Sequence, residues 1–490
     1  MSEEETKSLL HGKAIQTTIS PMHISWRHYM TGPILFIHLF AFILAYGTSG
    51  LYVPQYISRK LYPARIMPVS TGSICIINET EISPESETIQ KEAASFGIYT
   101  ALLSGIPAVI SNMLLGAFSD RFGRKFLFLT PTIGQVISKT IILFCVYYQI
   151  DINYILIGSA IEGFTGGYLA LLMASFSYIA DITENNKQRS VAITFLEIAV
   201  GVGVVLGRFS TGYFIKVTNY VWPIFTACCI YAVLVILIIS VLPETRIPVT
   251  EYRATQKSCL NYVTTIFSFY ISESNKGDRW KYNICILIFF TTGITVVGKS
   301  SVDLLYQISQ PFCWDSVKVG LYGALSSLFQ NVICMGMIKI LHLCLSDEGV
   351  SILGSVSGIS GFLITALAST DLMLYIAAIV GGGTVLTLPM VRAIMSRMTS
   401  PDKQGALFGG ISAVETTCGI LGSLFYNTVY SHTVAFFRGT VYILMASCVL
   451  VSLLLLLIFT ICSRRTQIHK TVTQVDVQEE NDTLPNNLNN

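Results

Sequence analysis

Apolar residues in this chain come in unbroken stretches of about 20, each long enough to cross a hydrocarbon core as a helix, with polar residues gathered between them. Twelve such stretches can be marked. The first six run from Thr31 to Val53, Phe96 to Phe118, Phe126 to Tyr148, Tyr154 to Ile179, Ser190 to Phe214, and Val221 to Leu242. The second six run from Asn283 to Ile308, Val317 to Leu341, Val350 to Ala368, Leu372 to Met395, Gly405 to Tyr430, and Thr433 to Ile461. Between the sets, Pro243 to Tyr282 is rich in Arg, Lys, Ser and Thr and breaks the apolar pattern, as a linker does. The pattern predicts an all-α membrane protein of 12 transmembrane helices in two six-helix bundles. Its divisions are an N-terminal tail over 1–29, a bundle over 30–242, a linker over 243–282, a bundle over 283–461, and a disordered C-terminal tail over 462–490.

Lysine and arginine orient this plan, because positively charged loops stay in the cytoplasm. Arg121, Arg124 and Lys125 follow the second span, Lys187 and Arg189 the fourth, and Arg246, Arg253, Lys257, Lys276, Arg279 and Lys281 lie in the linker. These fall on one side, which places linker and termini in the cytoplasm. The long loop from Pro54 to Ser95 carries Arg59, Lys60, Arg65 and Lys91 and weakens the rule locally without reversing it. A repeat supports the two-bundle plan: Thr183, Lys187 and Gln188 before the fifth span recur as Thr399, Lys403 and Gln404 before the eleventh, at an offset of 216 residues. Parallel repeats about an axis along the membrane normal give such a match.

Composition narrows the class. Charged residues make up 12% of the 490, about half the share of a soluble domain. A net charge of +2 offers no basic surface for nucleic acid. The first 29 residues lack a central apolar run, so no cleavable signal peptide is expected and the first span serves as the targeting signal. Of 12 cysteines, Cys145, Cys228, Cys229, Cys285, Cys334, Cys418 and Cys448 lie in apolar runs, where the thiol behaves as a small hydrophobe. There is no Ser-His-Asp set, metal-ligand cluster or nucleotide-binding signature, so the sequence predicts neither an enzyme nor an ATP-driven pump, and no cofactor.

Between the second and third spans stands GAFSDRFGRK, from Gly116 to Lys125. Gly116 permits close helix approach, Asp120 sits where the second span leaves the membrane, and Gly123 allows a tight turn before Arg124 and Lys125. Together with Arg121 these residues resemble the signature loop of the major facilitator superfamily, G-x-x-x-D-R-x-G-R-K. The resemblance implies a conformational latch in which Asp120 meets the amino end of the eleventh helix near Gly405, where unpaired amides carry partial positive charge. Ile338 to Asp347, the equivalent place in the second half, shows no such match, so one latch is expected. Pro243, Glu244, Thr245 and Arg246 resemble a second superfamily pattern, P-E-T-[KR].

FLEIAVGVG around Glu197, PMVRAIMSRM around Arg392, and GALFGGISAVETTCGILGSLFYNTVYS around Glu415 resemble the proton-coupled folate transporter and its lysosomal and thymic relatives, solute carrier family 46. That resemblance implies proton coupling at Glu197, a role beside an anionic substrate for Arg392, which near the cytoplasmic end of the tenth span could instead snorkel to water, and a disulfide between Cys75 in the first loop and Cys313 after the seventh span. Free thiols at both cysteines are the alternative. The AVETTCG segment is similar to the lysosomal relative and puts folate itself in doubt.

An ionisable side chain inside a span costs about 2.5–3.5 kcal/mol by insertion scales, so each is a candidate. Glu197 and Arg208 share a face of the fifth span, with Gly203 and Gly207 on a neighbouring stripe that should pack another helix and leave Glu197 facing a cavity. A plain pairing of Glu197 with Arg208 or a hydroxyl is the alternative. Glu415, at mid-depth of the eleventh span, could take a proton or a substrate cation. Glu162, among the glycines of the fourth span, could bind substrate or merely hydrogen-bond between helices. Lys299 and Asp303 could neutralise each other four residues apart. His38 reads as a satisfied polar residue.

The sequence therefore predicts a secondary active transporter, a proton symporter of a small organic anion. A proton-independent facilitator, or a receptor that keeps the fold without transport, are the rivals. Asn78 heads a glycosylation sequon in the first loop. Glu5, Leu9 and Leu10 match an acidic dileucine sorting pattern that adaptors could read, so the endolysosomal and plasma membranes both stand as destinations.

Overall fold

The computed structural model describes residues 26–63, 84–183, 186–245, 279–332, 336–399 and 404–482, with some side chains, among them those of 116–122, 186–191, 404–406 and 464–482, outside the description. Ten helices among these residues are long and apolar enough to cross a membrane. Helices Ser316–Val332 and Gln404–Thr433 supply the eighth and eleventh spans. The face on which the first helix begins, with Arg27 bonded to the Ser240 and Val241 carbonyls at the end of the sixth span, is called here the terminal face, and the opposite one the far face.

Several elements outrun their apolar stretches. The first helix, Thr31–Leu61, passes through Pro54, because Pro54, Gln55, Ile57 and Ser58 are buried and their packing outweighs the backbone bond that proline removes. The second helix begins at Pro84, so the loop expected from Pro54 to Ser95 is helical at both ends. The seventh begins at Arg279, inside the expected linker. The last, Thr440–Asp482, continues through residues expected to form a disordered tail. No glycine or proline interrupts it before Pro485, which explains the continuation.

Two spans are broken. In the fourth, helix Asn153–Phe164 stops and helix Gly167–Ile182 restarts across Gly166 and Gly167, whose φ values of 85° and 59° lie in the left-handed region open to glycine. In the tenth, Asp371–Val380 gives way to a 3₁₀ segment, Gly381–Leu386, before Thr387–Met398. Gly166 and Gly167 stand 216 residues before Gly382 and Gly383, the offset of the sequence repeat. Thr183 and Thr399 also match in structure: each hydroxyl donates at 2.8 Å to the carbonyl four residues back, of Ile179 and Met395.

The packing differs between the two faces. Toward the far face one apolar core joins both halves, with Leu51, Tyr52 and Ile215 of the first sharing it with Leu305, Trp314 and Tyr430 of the second. Polar contacts seal the same region: Tyr430 Oη donates to Gln90 Oε1 at 2.7 Å and Ser316 Oγ to the Gly212 carbonyl at 3.2 Å. A Cβ at Gly212 would lie 2.2 Å from the Ser316 oxygen, so glycine is needed for that approach. Toward the terminal face each half keeps its own core, around Phe128, Tyr178 and Tyr231 in the first and around Phe289, Val391 and Met395 in the second. Among the described residues the halves thus share packing toward the far face and keep separate cores toward the terminal face.

Candidate functional site

The cleft between the halves brings together residues far apart in sequence. Arg392, one turn beyond the 3₁₀ break of the tenth span, donates through Nη2 to Glu415 Oε2 at 2.5 Å. Its guanidinium carbon sits 5.2 Å from the centre of the Phe289 ring, a cation–π contact with the seventh span. Both side chains remain about a third exposed, 34% and 35%. Glu197, also exposed, reaches in from the fifth span and lies within electrostatic range of Arg392 and Glu415. Gly203 and Gly207 turn the other way, with added Cβ atoms 3.0 Å from the Phe36 carbonyl and 2.8 Å from Ile43, so the glycine stripe packs the first span as its spacing predicts. Pairing of Glu197 with Arg208 is excluded by geometry, since eleven residues span roughly 16 Å along a helix.

The first half contributes a pair of its own. Lys139 Nζ donates to Glu162 Oε2 at 2.8 Å, and only 5% and 17% of the two side chains are exposed. The ammonium lies 5.8 Å from the Phe42 ring centre, which in turn packs Tyr168 at 4.8 Å and Tyr46 at 5.9 Å. The Tyr168 hydroxyl is within electrostatic range of both Glu162 and Glu415. Sequence reasoning singled out Glu162 but missed Lys139. The signal was present: Lys139 is the one charged residue between Lys125 and Asp151. His38 is fully buried, its ring 5.1 Å from Tyr231 and its ring nitrogens without a hydrogen bond among the described residues, so it is not the satisfied polar residue the sequence suggests.

Nearer the far face, Arg208 crosses toward the second half. Added Cβ atoms at Gly320 and Gly323 would lie 2.7 Å from its carbonyl oxygen and 3.0 Å from its Cδ. Asp303, within its electrostatic range, accepts from Tyr442 Oη at 2.8 Å and pairs with Lys299 at 3.4 Å.

At the terminal face the signature loop closes on Glu244. Gly123, at φ 95°, turns the chain so that the amides of Arg124 and Lys125 donate to Glu244 Oε1 and Oε2 at 2.7 and 3.0 Å, which caps the third helix. A Cβ at Gly123 would fall 2.4 Å from Glu244 Oε2. Arg124 Nε also bonds Asp181 Oδ2 at 2.7 Å, at the end of the fourth span. In the second half Asp347, opening the ninth span, binds Arg397, closing the tenth, with His342 Nδ1 at 3.5 Å. Asp181 and Arg397 stand 216 residues apart, so the second half holds the corresponding ends with polarity reversed, a match invisible to a motif search.

Helix bounds include Gly116, Asp120 and Arg121, but their side chains, like the amino end of the eleventh span, lie outside the described ones. Cys313 is disulfide-bonded, to a partner outside the described residues. Cys75, Asn78, Glu5, Leu9 and Leu10 also lie outside them.

The chain is 28% identical over 432 residues to the lysosomal proton-coupled steroid conjugate and bile acid symporter SLC46A3 of Gallus gallus, covering 86% of this chain and 91% of that one. It is 24% identical over 425 residues to the proton-coupled folate transporter of Rattus norvegicus, covering 86% and 90%. Among solved structures, the human organic anion transporter MFSD10 (TETRAN) superposes with a TM-score of 0.61 at 16% identity, covering 88% of this chain and 99% of the other. The peptide transporter POT in complex with sulfate gives 0.62 at 12%, covering 89% and 94%. These structural likenesses support the fold. The sequence model of the Major Facilitator Superfamily matches residues 34–344, more than half of the chain, and on that match the protein belongs to the major facilitator superfamily.

Proposed function

We propose that this protein is a proton-coupled symporter of an amphipathic organic anion, with its terminal face in the cytoplasm. One observation carries the reading: Arg392 is held by Glu415 in a solvent-accessible cleft, with Glu197 within electrostatic range from the opposite half. The cleft groups comprise three carboxylates, Glu162, Glu197 and Glu415, against two cations, Lys139 and Arg392. An anion entering that unfavourable balance is helped by every proton the carboxylates take up. A proton on Glu415 releases Arg392 to the substrate, and one on Glu197 removes a repelling charge beside it, so substrate and protons favour each other's binding by linkage.

Phe42, Tyr46, Tyr168 and Phe289 provide flat apolar surface, which suits the steroid conjugates, bile acids and folates named for the relatives. Orientation rests on Arg124 and Lys125 at the terminal face, as positively charged loops remain cytoplasmic. Asp120, Arg121 and Gly116 then act in a cytoplasmic latch with Gly123, Arg124 and Lys125. The far face is lumenal or extracellular, where a Cys75–Cys313 bond and a glycan on Asn78 are both permitted. Adaptors reading Glu5, Leu9 and Leu10 would carry the protein to an endolysosomal membrane, the residence named for the relative SLC46A3.

The test is uptake of a radiolabelled steroid sulfate into proteoliposomes with and without an imposed acid gradient. Uptake that rises with the gradient supports symport. Uptake indifferent to it makes the protein a facilitator, and no uptake of any anion offered overturns transport.

A further inference from the structure

The Lys139–Glu162 pair differs from the Arg392–Glu415 pair in having one partner sealed and the other partly exposed. Lys139 is 5% exposed behind the Phe42 ring, whereas Glu162 keeps 17% of its side chain accessible. Only Oε2 of Glu162 receives Lys139; among the described residues no hydrogen bond reaches Oε1. The carboxylate comes three residues before the Gly166–Gly167 break, and broken helices in transporters present backbone and side chains to substrate at mid-membrane. The Tyr46 and Tyr168 hydroxyls share its electrostatic surroundings, and Tyr168 extends that neighbourhood to Glu415 in the opposite half.

We propose that Glu162 is a specificity-determining residue, whose Oε1 accepts a hydrogen bond from a hydroxyl or amine at the end of the substrate remote from its anionic group. Lys139 is a positioning residue: by holding Oε2 it fixes the carboxylate plane and directs Oε1 at the cleft. The inference rests on the proposed anion transport, with Arg392 taking the acidic end. The preferred ligand is an organic acid with a flat apolar body and a hydrogen-bond donor at the far end. A ligand ending in a ketone places an acceptor against an acceptor and is disfavoured.

The experiment uses the full-length protein in proteoliposomes and two probes, a steroid sulfate whose distal ring ends in a hydroxyl and the same sulfate ending in a ketone. The wild type should favour the hydroxyl probe in kcat/KM by about tenfold, the scale of a hydrogen bond to a charged group. Because removing one member of a buried pair can unfold the protein, the key variant is the double substitution Lys139→Met with Glu162→Leu, which replaces it by apolar residues of similar size. That variant should lose the preference, carrying the two probes with equal kcat/KM. Lys139→Met alone should reduce the preference without reversing it. Equal transport of both probes by the wild type, or a preference intact in the double variant, overturns the inference while leaving anion transport standing. Failure of the wild type to carry either probe overturns both.

Discussion

The two halves each hold one cation–carboxylate pair over an aromatic ring from their first helix, Lys139–Glu162 over Phe42 and Arg392–Glu415 over Phe289. The parts are alike and the surroundings are not. The first pair is nearly dry; the second is a third exposed on both sides. A buried pair is expensive to break because each charge left behind has lost its water, whereas an exposed pair exchanges partners for about 1 kcal/mol or less. The difference fits the proposed roles, in which the wet pair would trade its carboxylate for substrate during each cycle and the dry pair would stay joined and shape the site.

The strongest way to break this comparison is to remove one member of each pair and measure thermal stability in detergent. Glu162→Leu alone should cost roughly 3–5 kcal/mol by stranding the Lys139 ammonium. Glu415→Leu should cost about 1 kcal/mol or less. Equal losses would erase the distinction. Function should show the reverse asymmetry: Arg392→Gln should lower initial uptake by about 100-fold at normal surface abundance, the scale of losing a desolvated charge contact to the ligand. Retention of more than a tenth of wild-type uptake would move the anion site elsewhere.

A smaller effect concerns the faces. Gly212→Val intrudes on the Ser316 carbonyl where the halves meet, and overpacking of that kind costs about 1–3 kcal/mol. It should shift the population toward far-face opening by roughly tenfold, read as increased labelling of far-face cysteine reporters. Unchanged labelling would show that this contact does not gate the far side.

The smallest expected effect lies outside the spans. The Asp151 carboxyl is held below its ordinary value, first by the hydrogen bond from Lys60 at 2.7 Å and then by the Asn153 amide. Its contribution is therefore present above the unfolded-state value and lost only as pH falls through the lower folded-state one. Asp151→Asn should change stability little, and equally at neutral and mildly acidic pH, since exposed pairs contribute little. A loss confined to mildly acidic pH would contradict that sign.

Much of this was legible in the chain. Uninterrupted apolar stretches gave the spans, because lipid leaves the backbone no partner but itself. The 216-residue repeat foreshadowed the paired breaks at Gly166 and Gly382 and the matched threonines. Glu162, Arg392 and Glu415 stood out as charges where charge is costly. Lys139 and the pairings themselves did not, since pairing depends on helix rotation and on contacts across 23 residues in both cases, between neighbouring helices whose facing surfaces composition does not fix. Helix ends were misjudged at Leu61, Pro84 and Asp482 because hydropathy marks where lipid ends, while a helix continues until glycine, proline or lost packing stops it. The reversed ion pair of Asp347 and Arg397 escaped notice because geometry repeats there and residue identity does not.

On the proposed mechanism protons and substrate favour each other's binding around Arg392 through Glu197 and Glu415. The most direct test is the pH profile of initial uptake by Glu197→Gln in proteoliposomes, compared with wild type at matched protein density. The amide keeps the shape of the side chain and cannot titrate, so transport should persist but no longer rise with acid on the far side. An acid-stimulated profile indistinguishable from wild type would contradict it.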